Sequence, residues 1–203
     1  MLYLASQSPR RLELLRQVGI DPGLLDVIVP EIRLPGESPQ DYVSRVAREK
    51  AGAGLLKVMS NPGALVLGAD TEVVVGDRVL GKPVDSQDAT AMLVELAGRA
   101  HRVISVVWLL SAGREMRAQS ISEVRVSALT IEAIAGYVAT DEWRGKAGGY
   151  AIQGRAAMFI EHLSGSYSGV MGLPLHETAG LLRAFGRADL LNPSSLPPSP
   201  GAP

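Results

Sequence analysis

Ala64-Leu65-Val66-Leu67-Gly68-Ala69-Asp70-Thr71-Glu72-Val73-Val74-Val75-Gly76-Asp77-Arg78-Val79-Leu80-Gly81-Lys82-Pro83 is the stretch on which the fold turns. Its opening, Ala64–Ala69, is a continuous apolar run, the pattern of a strand buried on both faces, and Asp70-Thr71 closes that run with a carboxylate at the strand's C-terminal end. Glu72–Val75 and Arg78–Leu80 flank the turn Gly76-Asp77 and read as a hairpin. The hairpin brings Lys82 back towards Asp70, where a lysine can hold a phosphate as a point charge. A carboxylate at the end of such a strand stands where α/β enzymes gather their reactive groups, able to take a proton from water or bind a divalent cation. The same aspartate could equally cap the turn that follows it.

Upstream, the apolar Met1–Ala5 reads as a strand, and Leu12, Leu15 and Val18 mark one face of a helix closed by Gly19. Ser8 is a natural N-cap and Pro9 a natural first helical residue, since proline lacks only an N–H that would be unpaired there. Ser38-Pro39 repeats that logic for a second helix reaching about Leu56, whose polar face carries Arg45, Arg48, Glu49 and Lys50. Downstream, the pattern predicts a helix from Ser86 to Gly98, long strands over His101–Leu110 and Glu115–Ser127, and a helix from Thr130 to about Ala139. The glycine-rich Gly145–Tyr150 then leads to a strand over Ala157–Leu163, and Gly172-Leu173-Pro174 opens a last helix to about Phe185. Strands and helices mix without strict alternation, so the expected class is α/β in the mixed α+β sense, a mixed twisted sheet flanked by helices. Residues 1–190 read as one domain, and the Pro- and Ser-rich tail 191–203 as disordered.

Composition narrows the function. The 20 Lys and Arg nearly cancel 21 Asp and Glu, so no global basic field holds this chain on nucleic acid, and only 4% of its residues are aromatic. Any anion site must therefore be a local cluster. No apolar run approaches the roughly 20 residues that span a bilayer, and no secretion signal opens the chain, so the expected location is cytoplasmic and no membrane partner is expected. The absence of cysteine excludes disulfides, thiolate metal sites and a cysteine nucleophile, while His101, His162 and His176 lack metal-ligand spacing. The glycine-rich phosphate and dinucleotide loops, the zinc-protease motif and the serine-hydrolase elbow are also missing.

The strongest local signal is Ser6, Ser8, Arg10 and Arg11 at a strand-to-helix junction. Arginine has the wrong sign for the first turn of a helix, whose dipole favours anions there. A bound phosphate would supply the reason, held by free N–H groups, serine hydroxyls and guanidinium forks. Otherwise both arginines simply point into water. In Ile152-Gln153-Gly154, glycine lets a backbone approach a ligand and Gln153 offers paired donor and acceptor groups that can read a base. Spacing alone would not select Glu31 or Lys50.

Taken in order, Leu4-Ala5-Ser6-Gln7-Ser8-Pro9-Arg10-Arg11, Ala47-Arg48-Glu49-Lys50-Ala51, Gly68-Ala69-Asp70-Thr71, Gly81-Lys82-Pro83 and Gly172-Leu173-Pro174-Leu175 resemble the signature segments of the Maf family of nucleotide pyrophosphatases. The resemblance runs from about residue 2 to 185. It implies two lobes with a cleft between them, usually a homodimer, and metal-dependent hydrolysis between the α- and β-phosphates of a nucleoside triphosphate with Mg²⁺ or Mn²⁺. It further implies Asp70 as general base or metal-linked carboxylate, Glu31 as metal ligand, and Ser8, Arg10, Arg11, Lys50 and Lys82 as the phosphate-binding set. Gly149–Gly154 is similar to the branch acting on dTTP and UTP, in which positions equivalent to Arg10, Thr71 and Gln153 are linked to substrate choice. A nucleotide-binding regulator of division or septation is the alternative that the family association raises.

Overall fold

A computed structural model describes residues 1–191, and the tail read as disordered lies outside the described residues from 192 onwards. Leu191, counted with that tail, instead ends a 3-10 turn, Ala188–Leu191. The strands are β1 (Leu2–Ala5), β2 (Gly23–Leu25), β3 (Leu65–Val75), β4 (Arg78–Leu80), β5 (Ala100–Leu110), β6 (Glu115–Val126) and β7 (Ile160–Ser164). The helices are α1 (Pro9–Gln17), α2 (Pro39–Lys57), α3 (Ser86–Leu96), α4 (Ile131–Val138), α5 (Tyr167–Met171) and α6 (Leu175–Ala184). All seven strands form one mixed sheet in the order β2-β1-β3-β5-β6-β7, with β4 also on β3. β1 runs parallel to both β2 and β3, and the other pairings are antiparallel. No described helix is long and apolar enough to cross a membrane.

The mixed sheet flanked by helices agrees with the expected class, but its central strand departs from the sequence reading. β3 does not stop at Ala69; it continues unbroken through Asp70 and Thr71 to Val75. One edge of β3 pairs with β5 along Val66–Val74. The other edge is shared: β1 occupies it up to Gly68, and β4 takes it from Val73. Ala69–Glu72 therefore lie in a gap in the ladder on that edge. Asp70 sits in mid-strand, yet on one side it borders a break in the sheet.

Alternation along β3 sends its odd and even residues to different layers. Leu65, Leu67 and Ala69 join a core of Leu14 and Leu15 from α1 and Leu181 and Leu182 from α6. Val73, on the same face, belongs to a second core with Leu93 and Leu96 of α3, Ile134 of α4, Trp143 and Tyr150. Thr71 lies between these two clusters. On the opposite face, Val74 packs with Tyr42, Val43, Val46 and Ala47 of α2. Ser38 caps α2 as its sequence implies, accepting from the Asp41 N–H. α2 then crosses β3 so closely that a Cβ on Gly68 would stand 2.5 Å from the Ala47 carbonyl oxygen and 2.6 Å from the Ala51 nitrogen.

Five elements went unread in the sequence: β2, α5 and the 3-10 turns Ala147–Gly149, Ala188–Leu191 and Arg155–Phe159, the last of which delays β7 until Ile160. The preceding loop is nonetheless tightly held. Gly148 N–H donates to the Gly81 carbonyl, Ala151 N–H to the Tyr137 hydroxyl and Arg155 N–H to Glu142. Tyr150 is fastened to β5 through His101, with Nε2 2.8 Å from the tyrosine oxygen. Burial pushes the His101 pKa from its ordinary 6.5 down to about 4. Protonation would also place an N–H at Nδ1, which has no partner among the described residues.

Two outcomes follow from this packing. Gly68→Ala should cost about 2–3 kcal/mol, seen as a lower urea midpoint at unchanged slope, because α2 must lift off β3. Below pH 6.5 the unfolded chain protonates His101 while the folded one resists, so this group withdraws about 3 kcal/mol of stability as pH falls to about 4. His101→Gln should therefore show a shallower acid limb than the parent in pH-dependent unfolding.

Candidate active site

A cavity of about 710 Å³ opens at the gap in β3. Ser8, Arg10, Arg11, Glu31, Lys50, Asp70, Thr71, Lys82 and Gln153, the whole set expected from the sequence, line it. They arrive from the β1–α1 loop, the first turn of α1, the segment before α2, α2 itself, β3, the end of the hairpin and the loop before β7.

Four of these residues form an alternating chain of ion pairs. Lys82 Nζ lies 2.5 Å from one Glu31 oxygen, Lys50 Nζ is 2.6 Å from the other, and Lys50 also donates to Asp70 Oδ1 at 2.7 Å. Lys50 was assigned to the polar face of α2, but it is buried, 8% exposed, against the even face of β3. The reason is Gly68: without a side chain there, α2 approaches closely enough for Lys50 to reach the carboxylate one pleat further on. Burial alone would raise the Glu31 pKa, but its hydrogen bonds to Lys50 and Lys82 outweigh that and hold it at about 2. Asp70 Oδ2 is buried with no hydrogen-bond partner among the described residues.

Glu72 was not singled out in the sequence, where it reads as a hairpin residue. It lies two positions beyond Asp70 on the same face of β3 and is 4% exposed. Burial first, and the Asp70 charge second, push its pKa up to about 8. The shift favours the protonated carboxyl and so lowers the charge that Glu72 adds beside the chain of ion pairs.

The two arginines do not point into water. Arg11 is 8% exposed, donating through Nε to the Gly172 carbonyl at 2.8 Å and through Nη1 to Ser6 Oγ at 3.1 Å. Arg10 donates through Nε to the Met171 carbonyl at 3.2 Å. Apart from the Ser6 hydroxyl, the partners are thus carbonyls at the C-terminal end of α5, groups that a helix leaves without internal partners. Neither guanidinium pairs with a carboxylate among the described residues. Burial, then each other's or nearby charges, perturb both: Arg10 is lowered by desolvation and by Arg11, while Asp70 and Glu31 partly offset the desolvation of Arg11. Ser8 occupies the N-cap position but makes no side-chain cap bond.

Thr71, on the odd face, shares a hydrogen bond of 2.7 Å with Ser105 and donates to the Gly172 carbonyl. Gln153 is exposed at the cavity rim, and its amide makes no hydrogen bond among the described residues. Residues the sequence reading did not select also line the wall, among them Arg144, Lys146, Tyr150 and Ile152. Glycines quoted around them signalled a loop; nothing local showed which side chains would turn inward.

Comparison with known proteins places the chain. Residues 1–185 match the family described as Maf-like protein. A protein of Xanthomonas campestris named dTTP/UTP pyrophosphatase is 58% identical over 188 residues, 92% of this chain and 99% of that one. A relative of the same name from Aromatoleum aromaticum is 50% identical, covering 91% and 95%. One from Xylella fastidiosa, named nucleoside triphosphate pyrophosphatase, is 51% identical, covering 91% and 98%. Among solved structures, the Ham1 protein of Staphylococcus aureus shares the fold alone, with TM-score 0.51 and 13% identity over 93% of this chain and 98% of that one. With the family match extending over nearly all of the described residues, the chain belongs to the Maf family.

Proposed function

We propose that this protein hydrolyses dTTP and UTP to the nucleoside monophosphate and pyrophosphate. The observation that carries the reading is one cavity in which Asp70, with an unpartnered carboxylate oxygen, stands among cations from three separate segments, α1, α2 and the end of the hairpin. A triphosphate carries a charge of about −4, which Arg10 and Arg11 meet with no carboxylate of their own, while Lys50 and Lys82, paired with Glu31 and Asp70, add donors rather than net charge. The printed names of the relatives, at 50–58% identity, support the same substrates.

In this mechanism Lys50 fixes Asp70 through Oδ1, leaving Oδ2 to accept a proton from water as the water oxygen bonds to the α-phosphorus. The bond from that phosphorus to the α–β bridging oxygen breaks, and its electron pair leaves with pyrophosphate. Lys82 and Lys50 exchange part of their contact with Glu31 for phosphate oxygens, and Arg10, Arg11 and the Ser8 hydroxyl take the remainder of the chain. Gln153 pairs with the O4/N3–H edge of the pyrimidine, and Thr71 lines the same cavity.

Glu31 and Asp70 supply hard oxygen donors, but no group of three or more His, Asp or Glu among the described residues is arranged to hold a metal alone. That set fits Mg²⁺ or Mn²⁺ shared with substrate phosphates, since such ions are commonly held by one or two carboxylates and the phosphates themselves. Bound there, the ion would offset phosphate charge and lower the pKa of water. The reading includes a homodimer and a cytoplasmic location, where nucleoside triphosphates are available.

Pyrophosphate release from a panel of nucleoside triphosphates, with Mg²⁺ or Mn²⁺, tests the assignment. dTTP and UTP should lead, and Asp70→Asn should lower turnover about a thousandfold while nucleotide affinity is largely kept. Unchanged turnover in the variant would sink the role given to Asp70. Gln153→Glu should reorder the bases more than it slows the best substrate; an equal loss on every base would remove Gln153 from base recognition.

A further inference from the structure

The cavity's charges divide into two halves. In one, Lys50 and Lys82 alternate with Glu31 and Asp70. In the other, Arg10 and Arg11 have only neutral acceptors. The wall there also carries Lys146 and Arg144, and the two differ. Arg144 is compensated, 2.9 Å from Asp141, and its guanidinium lies 4.5 Å from the Trp143 ring centroid. Lys146 is not: its ammonium donates to the Arg144 carbonyl at 3.0 Å and pairs with no carboxylate among the described residues. The carboxylate whose field reaches it, Glu142, is engaged by the Arg155 N–H at 2.8 Å.

Placing an ammonium within the field of Arg10, half-buried and without a counter-ion, costs free energy unless an anion arrives. Desolvation first, and the Arg10 charge second, lower the proton affinity of Lys146. The position is held by the fold. Gly145 and Gly148, at φ +66° and +69°, shape the turn, and the Gly148 N–H is bonded to Gly81, next to Lys82. A Cβ on Gly148 would meet Val73 at 2.9 Å, so the loop lies directly on β3.

We propose that Lys146 joins Arg10 and Arg11 in an anion subsite that takes the pyrophosphate part of the substrate and, after cleavage, the pyrophosphate product. This rests on the pyrophosphatase reading and adds to it a residue on the same loop as Gln153. Phosphate contact at Lys146 would then fix the loop from which Gln153 faces the base, linking base recognition to the phosphate chain.

Inorganic pyrophosphate, titrated calorimetrically in metal-free buffer, tests this without turnover. Lys146→Met should weaken its binding about tenfold, while Lys146→Arg should stay within about threefold of the parent. Without ligand, Lys146→Met should melt at the same temperature or higher, since it removes a cation from beside Arg10; the rise in melting temperature on adding pyrophosphate should shrink. Parent-like affinity in Lys146→Met, equal losses in both variants, or a lower unliganded melting temperature would each overturn the proposal, the last by assigning Lys146 a structural role. Failure of the parent to bind pyrophosphate would overturn the subsite. Failure of the parent to cleave dTTP or UTP, with pyrophosphate bound as described, would instead count against the substrate reading.

Discussion

The close approach of α2 to β3 at Gly68 sets the geometry of everything around Asp70. Lys50 and Asp70 come from different layers, and only a residue without a side chain beneath Ala47 and Ala51 lets the layers meet at this distance. The resulting ion pair is nearly dry, with side-chain exposures of 10% and 5%. Such a pair is a poor source of stability, because removing two charges from water offsets much of their attraction. Removing one partner alone is worse, since the survivor stays buried and uncompensated. The pair is better understood as a fixed orientation, bought at some cost, that aims one carboxylate oxygen and leaves the other without a partner.

A second constraint makes that orientation accessible. A central strand normally offers no edge, yet β1 and β4 leave Ala69–Glu72 unpaired on one side of β3 while β5 holds the other. The gap admits the β1–α1 loop with the first turn of α1, and the Lys82 end of the hairpin, to the same place. It also lies where the odd face of β3 passes from the core built on α1 and α6 to the core built on α3 and α4. A cavity at such a seam can be lined from many segments without hollowing either core.

Local signals in the sequence were read well. The Ser38-Pro39 start of α2, the Gly76-Asp77 hairpin and the helix over Ser86–Leu96 all follow from caps, turns and periodicity within a few residues. Asp70, selected for its chemistry, lines the cavity but was placed at a strand end, because a carboxylate breaks an apolar run in sequence without breaking the strand in space. Lys50 looked like a solvated residue for a related reason: its surroundings depend on a glycine 18 positions away in another layer. The arginines gave a legible anomaly, the wrong charge in a first helical turn, but their acceptors lie 161 residues on. α5, which provides those acceptors, is only five residues long and carries too little periodicity to be recognised.

The likeness to Ham1 separates what the fold supplies from what the residues supply. At 13% identity two chains can share the sheet and helices, so the architecture alone does not select a chemistry. In this chain the selection comes from how charge is divided around the gap. A cavity with only paired charges would have little reason to admit a polyanion, and one with only cations would bind it without placing a base. Here Lys50 and Lys82 are already neutralised by Glu31 and Asp70, whereas Arg10 and Arg11 meet only carbonyls and a hydroxyl. A phosphate chain entering this cavity would therefore gain most at the arginine side, while the Asp70 side offers a buried carboxylate oxygen, Oδ2, that has no hydrogen-bond partner among the described residues.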